Sequence, residues 1–234
     1  NDGDVRLGSM EWMGHEFRFW TISDPILIAE IASKHDIFRK PYEGYASLEA
    51  ITGKNVITAQ DEQWRQMRHI MAPYFTPKSI KTHLAPIIVE NSHNFVTALP
   101  HLGDFNAEKI LRNATAANIG RALFSDDITP ERSAELAETI VHTTLSAEKF
   151  SLWSSLAMKI ANALGQTYHP EIHLTRQEKK NLHAIHTMLD DITATRARHQ
   201  NPPEDIFQVL KDSDMSPDLI NNNIQMLFGA GFET

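Results

Sequence analysis

There is no cysteine in these 234 residues. That excludes a disulfide framework and a zinc–thiolate centre and removes support for a small secreted scaffold, while leaving the compartment open. Nor is there a run of about 18 apolar residues, the length a membrane-spanning helix needs. No basic-then-apolar leader opens the chain, which begins at Asn1. Basic charge is in short supply: 22 Lys and Arg face 30 Asp and Glu, a formal net charge of −8. This argues against nucleic acid as a partner, because phosphate binding needs a basic footprint. With 41% apolar and 22% charged residues, the composition is that of a globular chain rather than a disordered one. No repeat, low-complexity tract or linker divides it, so residues 1–234 read as a single domain.

What is present is mainly helical patterning. Residues 4–22 alternate loosely, with Val5, Leu7, Phe17, Phe19 and Ile22 among polar neighbours. The alternation predicts a small antiparallel β-hairpin turning near Met13-Gly14. Asp24 followed by Pro25 opens a first helix whose apolar face is Ile28, Ile31, Ala32 and His35, ending before Pro41. Residues 41–60 lack periodicity and predict a long loop with one short helix around 47–51. Further helices are expected at 61–73, 77–98, 105–123, 131–147, 175–199, 203–211 and 217–234. Thr175 and Glu178 make a capping box ahead of a stripe of Leu182, Ile185, Leu189 and Ile192. Pro202-Pro203 marks a tight corner, and Ser216-Pro217-Asp218 opens the last helix.

Two stretches carry chemistry. In Trp64-Arg65-Gln66-Met67-Arg68, helical spacing puts an indole N–H and a guanidinium on one face, about 6 Å apart along the axis. These are donors without acceptors, the pair that would meet an anion. At the other end, Asn223, Leu227, Ala230 and Thr234 fall at steps of three and four on one face of the last helix. That helix ends Ala230-Gly231-Phe232-Glu233-Thr234, a carboxylate and an alcohol side by side after glycines that each weaken a helix by about 1 kcal/mol relative to alanine.

In this order, the segments resemble the N-terminal half of a cytochrome P450, a haem-thiolate monooxygenase. The likeness runs through Thr21-Ile22-Ser23-Asp24-Pro25, Phe38-Arg39-Lys40-Pro41 and Gly53-Lys54-Asn55-Val56-Ile57. It continues through Trp64 to Phe75 and Asn106 to Phe124, and is most specific at Leu227-Phe228-Gly229-Ala230-Gly231-Phe232-Glu233-Thr234. The fold it implies is mainly α with the small β-hairpin near the N-terminus, an incomplete cytochrome P450 fold in one incomplete domain. It implies a heme b cofactor bound through Trp64, Arg68 and the weaker His69, with Ala230 and Gly231 giving room beside it. Glu233 and Thr234 would be the catalytic pair that delivers protons to dioxygen. Val56, Ile57, Ile224, Leu227, Phe228 and Phe232 would line a pocket for a hydrophobic small-molecule substrate. O2 and an electron-donating reductase are the other implied partners. The family holds iron through a Cys thiolate, so the ligand would lie outside this chain and the 234 residues alone would be inactive. Trp64 at the head of its motif looks more like eukaryotic and self-sufficient bacterial members. That leaves room for a cytoplasm-facing enzyme anchored through a segment ahead of Asn1.

The rival reading is a haem-free helical fragment that only binds a ligand or partner; a Glu-x-x-Arg helix and a Gly-rich Cys loop after Thr234 would decide for the enzyme. Residues 150–164, with Phe150, Leu152, Trp153, Leu156, Met158 and Ile160, are either internal packing or an apolar entrance lip that makes peripheral membrane contact. No metal site is expected. His183 and His186 have only Asp190 as a third partner, and Asp212-Ser213-Asp214 lacks the glycine and closing glutamate of a calcium loop. Asn113-Ala114-Thr115 fits a glycosylation sequon by chance within a helix.

Overall fold

The structure is a computed structural model that describes residues 5–12, 15–34, 36–40, 42–99, 103–146, 160 and 174–233. It divides into two compact units, one drawn from residues 1–47 and 149–173, the other from residues 48–148 and 174–234.

In the first unit, β1 (Val5–Trp12) and β2 (His15–Ile22) pair antiparallel with Val5 opposite Ile22 and Gly8 opposite Phe19. The expected turn residues Met13 and Gly14 lie outside the described residues. Helix α1 (Pro25–Ser33) begins as its sequence dictates. The Asp24 carboxylate accepts the Ile26 N–H at 2.7 Å and the Leu27 N–H at 3.2 Å, and Pro25 fills a position where no N–H is needed. None of its residues is buried, and Ile28, on the anticipated apolar face, is 47% exposed. His35, the last residue of that face, lies outside the described residues.

Helix α2 (Tyr42–Thr52) corrects the expected long loop. It buries Ala46, Ile51 and Thr52 rather than a continuous apolar stripe, so the period that betrays a helix is missing.

The second unit holds a continuous core. Its elements are α3 (Asp61–Met71), a 3-10 turn (Ala72–Phe75), α4 (Ala85–Ala98), α5 (Ala107–Phe124), α6 (Pro130–Ser146), α7 (Arg176–Arg196), α8 (Ile206–Lys211) and α9 (Pro217–Glu233). The helix expected at 77–98 is interrupted by a π turn at Ile80–Leu84. Pro86, early in α4, has no N–H for the turn behind it and its ring crowds a carbonyl four residues back. The chain widens there, and the Ala85 N–H reaches the Ile80 carbonyl instead. Helix α7 starts on the anticipated capping box: the Glu178 N–H donates to the Thr175 hydroxyl at 3.2 Å, and the Thr175 N–H donates to the Glu178 carboxylate at 2.6 Å. Helix α8 starts later than expected, because Asp205 caps it by accepting the Gln208 N–H at 2.9 Å.

Phe124, Phe207, Phe228 and Phe232 stack through the centre of this core, Phe124 meeting Phe207 edge-on at 5.4 Å. Beside them lies a cation the sequence does not advertise. Arg196 is buried and bonds both Asp127 and Asp205, its Nη1 and Nη2 reaching the Asp205 oxygens at 2.9 and 2.6 Å. Nη2 also donates to the Phe124 carbonyl at 3.0 Å, and the guanidinium lies 5.2 Å from the Phe207 ring. Burial alone would lower the Arg196 pKa, but the hydrogen bonds and charges of Asp205 and Asp127 outweigh it and the value is raised.

Tyr74, in the 3-10 turn, packs against the same core. Burial raises its pKa above 10.0, and the negative charges of Asp205 and Glu204 add to the effect. A raised phenol pKa gives stability that is full below the unfolded value and lost as pH rises through the folded one. Urea midpoints of the intact protein are therefore expected to fall less steeply above pH about 10 in Tyr74→Phe than in wild type. Parallel alkaline limbs would show that Tyr74 contributes nothing.

Candidate functional site

Helix α3 has a polarised sequence: Asp61 and Glu62 sit in its first turn, Arg68 and His69 in its last, each at the end of the helix dipole that favours its charge. Met67 and Met71 turn inward and are buried, and Trp64 packs half-buried against the core beside them. Arg68 and His69 are exposed. The neighbouring Arg65 pairs with Glu62 at 3.5 Å, whereas among the described residues no carboxylate lies within ion-pair distance of Arg68. Trp64 and Arg68 stand one turn apart on α3, an indole N–H and a planar guanidinium, donor types that suit an anionic group.

Ahead of α3, the segment Gly53–Ala59 is held by its own polar groups. Gly53 has φ +63°, which favours glycine, and a Cβ there would meet the Asn222 side chain at 2.2 Å. The Asn55 side chain, fully buried, accepts the Ile57 and Thr58 N–H groups at 2.9 and 3.3 Å and donates to the Thr52 hydroxyl and the Gly53 carbonyl at 2.8 and 2.9 Å. Val56 and Ile57 follow with part of their surface exposed.

Asn223 joins these segments to α9. Its Oδ1 accepts the Val56 N–H at 2.9 Å, while its Nδ2 lies 2.8 Å from the Leu219 carbonyl and 3.1 Å from the Met67 sulfur. Three stretches distant in sequence thus meet at one buried amide. The sequence pattern placed Asn223 on a face with Leu227 and Ala230 but not at this junction; a polar Asn221-Asn222-Asn223 run inside an apolar helix was the available signal.

Along α9 two faces separate. Ile224, Phe228 and Phe232 are buried in the core, whereas Leu227 and Ala230 are only partly covered and Gly231 and Glu233 are exposed. Of the residues expected to line a pocket, Ile224, Phe228 and Phe232 are packed inside the core, and Val56, Ile57 and Leu227 keep surface. Thr234 lies outside the described residues. A hollow of about 460 Å³ opens beside the end of α9, lined by Glu108, Leu111, Arg112, Thr115, Val141, Phe232 and Glu233. The Thr115 hydroxyl donates to the Phe232 carbonyl at 2.9 Å across this wall.

The anticipated entrance segment 150–164 lies outside the described residues except for Ile160, which is exposed. His183, His186 and Asp190 are all exposed on α7. Among the described residues, no helix is long and apolar enough to cross a membrane.

Among the described residues the chain is mostly helical, with a short antiparallel hairpin and a core helix that runs through Gly231-Phe232-Glu233. The sequence profile of the family Cytochrome P450 matches residues 9–234, and the chain belongs to that family. Over 85 residues it is 31% identical to cytochrome P450 734A1 of Arabidopsis thaliana, a match covering 36% of this chain and 16% of the plant protein. Its fold is similar to that of cyanobacterial CYP120A1 solved with retinoic acid bound, with a TM-score of 0.66 at 18% identity over 97% of this chain and 49% of that one. It is likewise similar to CYP154A1 from Streptomyces coelicolor A3(2), with a TM-score of 0.61 at 17% identity over 100% of this chain and 54% of that one. The chain thus spans about half the length of these solved relatives.

Proposed function

We propose that the intact protein is a haem-dependent monooxygenase that inserts one atom of O2 into a hydrophobic small molecule. A reductase supplies two electrons, and with two protons the second oxygen atom leaves as water. One observation supports this reading above the rest: Asn223 ties the Gly53–Ile57 segment, helix α3 and helix α9 together, so the three motif-bearing stretches share one junction.

The cofactor, when bound, supplies the redox centre at which O2 is activated. Its thiolate would have to come from residues other than these 234, which include no cysteine. Trp64 and Arg68 would hold a propionate, with His69 adding a weaker contact. The two-pronged guanidinium fixes the carboxylate plane in a way an ammonium cannot. Ala230 and Gly231 would leave room beside the cofactor, and Glu233 and Thr234 would be the groups that hand on protons. Val56, Ile57 and Leu227 present an apolar wall to substrate, backed from within α9 by Ile224, Phe228 and Phe232.

In the intact protein the reduced carbon-monoxide spectrum is expected to carry the thiolate-type Soret band. Arg68→Ala is expected to speed haem loss to a scavenger by about tenfold, with Arg68→Lys intermediate. Wild-type haem retention in Arg68→Ala would refute the propionate role, and the absence of the thiolate band would refute the monooxygenase.

A further inference from the structure

The end of α9 is shaped from behind by α5. A Cβ added at Gly231 would lie 2.5 Å from both Cδ1 and Cγ1 of Ile119, whereas one added at Gly229 would meet only an ordinary contact, Ile140 Cγ2 at 3.7 Å. One turn before Ile119 on α5, the Thr115 hydroxyl donates to the carbonyl of the very next α9 residue, Phe232, at 2.9 Å. Two residues four apart on α5 therefore grip two consecutive residues of α9, one by packing against a bare Cα and the other by a hydrogen bond. The Thr115 hydrogen also has the Leu111 and Arg112 carbonyls of its own helix within reach, at 3.2 and 3.0 Å, but Phe232 is nearest.

We infer that Thr115 and Ile119 are positioning residues that set the backbone of α9 at Gly231–Phe232 and thereby aim the Glu233 carboxylate that follows. A hydrogen bond from α5 to a carbonyl of α9 ties the two helices together at this turn and so opposes local opening of α9 there. The Phe232 carbonyl is the last one before Glu233. Its orientation bears on where the Glu233 carboxylate points, and angular errors of a fraction of a turn are costly for proton transfer. The same packing assigns the two glycines different reasons for being there. A methyl group at Gly231 would have to push Ile119 aside, and one at Gly229 would strike no neighbour among the described residues.

This inference rests on the monooxygenase reading only for its functional half, so the test has two arms, both on the intact, haem-loaded protein. In the first arm, amide hydrogen exchange at Phe232 and Glu233 is compared in wild type, Thr115→Val and Thr115→Ser. Valine keeps the shape and removes the hydroxyl. Exchange is expected to rise about fivefold or more in Thr115→Val and to stay near wild type in Thr115→Ser. Unchanged exchange in Thr115→Val overturns the grip, whatever the protein catalyses. Thermal unfolding adds a packing check. Gly231→Ala is expected to lower the Tm and Gly229→Ala to leave it unchanged or raised, with Ile119→Ala recovering part of the Gly231→Ala loss because the two crowding atoms are gone. An equal response of the two glycines overturns the packing half.

In the second arm, product formed per reductant consumed is expected to fall about threefold or more in Thr115→Val with substrate affinity unchanged, and to recover in Thr115→Ser. Raised exchange with wild-type coupling overturns the positioning role. A wild-type protein that consumes no reductant defeats the monooxygenase reading instead, and the exchange arm still decides the grip.

Discussion

Arg196→Met is expected to cost the intact protein about 3–5 kcal/mol, enough to unfold a domain of ordinary stability. The arginine side chain has no exposed surface, and its partners Asp127 and Asp205 are only 2% and 7% exposed. Methionine fills similar volume, so the loss comes from two carboxylates left buried without their cation. Asp127 keeps its contact with His199 at 2.7 Å, and Asp205 keeps the Ser125 hydroxyl at 2.8 Å and the Gln208 N–H at 2.9 Å, none of which replaces the guanidinium. Adding Asp127→Asn and Asp205→Asn to Arg196→Met should recover a good part of the loss, because amides bury without charge and the asparagine side chain can still cap α8. Urea unfolding decides the matter. A midpoint unchanged in Arg196→Met would mean that the pair of carboxylates reaches water in that variant, and a triple variant no better than the single one would mean that lost packing rather than stranded charge is the cause.

The second large effect is expected at Thr234. In the intact protein, Thr234→Ala should go on consuming reductant in the presence of substrate while most of the electrons leave as hydrogen peroxide. The methyl group cannot donate a hydrogen bond or hold a water beside dioxygen, so the second proton comes to the wrong atom or too late for the O–O bond to break. A loss of product per reductant of about tenfold corresponds to one well-placed proton donor. Substrate affinity should change little, since the apolar wall does not involve this hydroxyl. Measuring product and peroxide together gives the partition. Wild-type coupling in Thr234→Ala would remove the alcohol from the proton path and leave Glu233 as the residue to test next.

Thr234 and Thr115 make different demands on the same experiment. Loss of the Thr234 hydroxyl removes a proton donor, and serine there should restore the coupling. Loss of the Thr115 hydroxyl leaves that donor in place and releases the α9 backbone at Phe232, so only the Thr115 variant should alter amide exchange at Phe232 and Glu233. A serine rescue at both positions with exchange altered at one separates delivery from aim.

Much of the architecture was written in local residue patterns. Asp24-Pro25, the Thr175–Glu178 box and Asn106, whose side chain accepts the Lys109 N–H at 3.0 Å, each start a helix through groups within three residues of one another. The alternation in residues 4–22 marks a hairpin for the same reason: period and propensity are properties of neighbours along the chain. The shared face of Trp64 and Arg68, the glycines of the last helix and the order of the family motifs are of this kind too. Where the pattern misled, the cause was also local. Helix α2 buries Ala46, Ile51 and Thr52 without a stripe, and Pro86 converts the turn before it into a π turn.

Only the tertiary structure decided which distant groups would be partners. Arg196 reads as one more cation in the last turn of α7, yet packing seals it between Asp127 and Asp205. Asn223 reads as a polar residue on a mixed face, yet it receives an N–H from a segment 167 positions earlier. Thr115 lies in a chance sequon, and its hydroxyl closes on a carbonyl 117 positions away. Such bonds form because burial strips polar groups of water and obliges them to pair with whatever the fold brings within reach. Residue type sets what each group can donate or accept, and the packing of helices sets which group it meets.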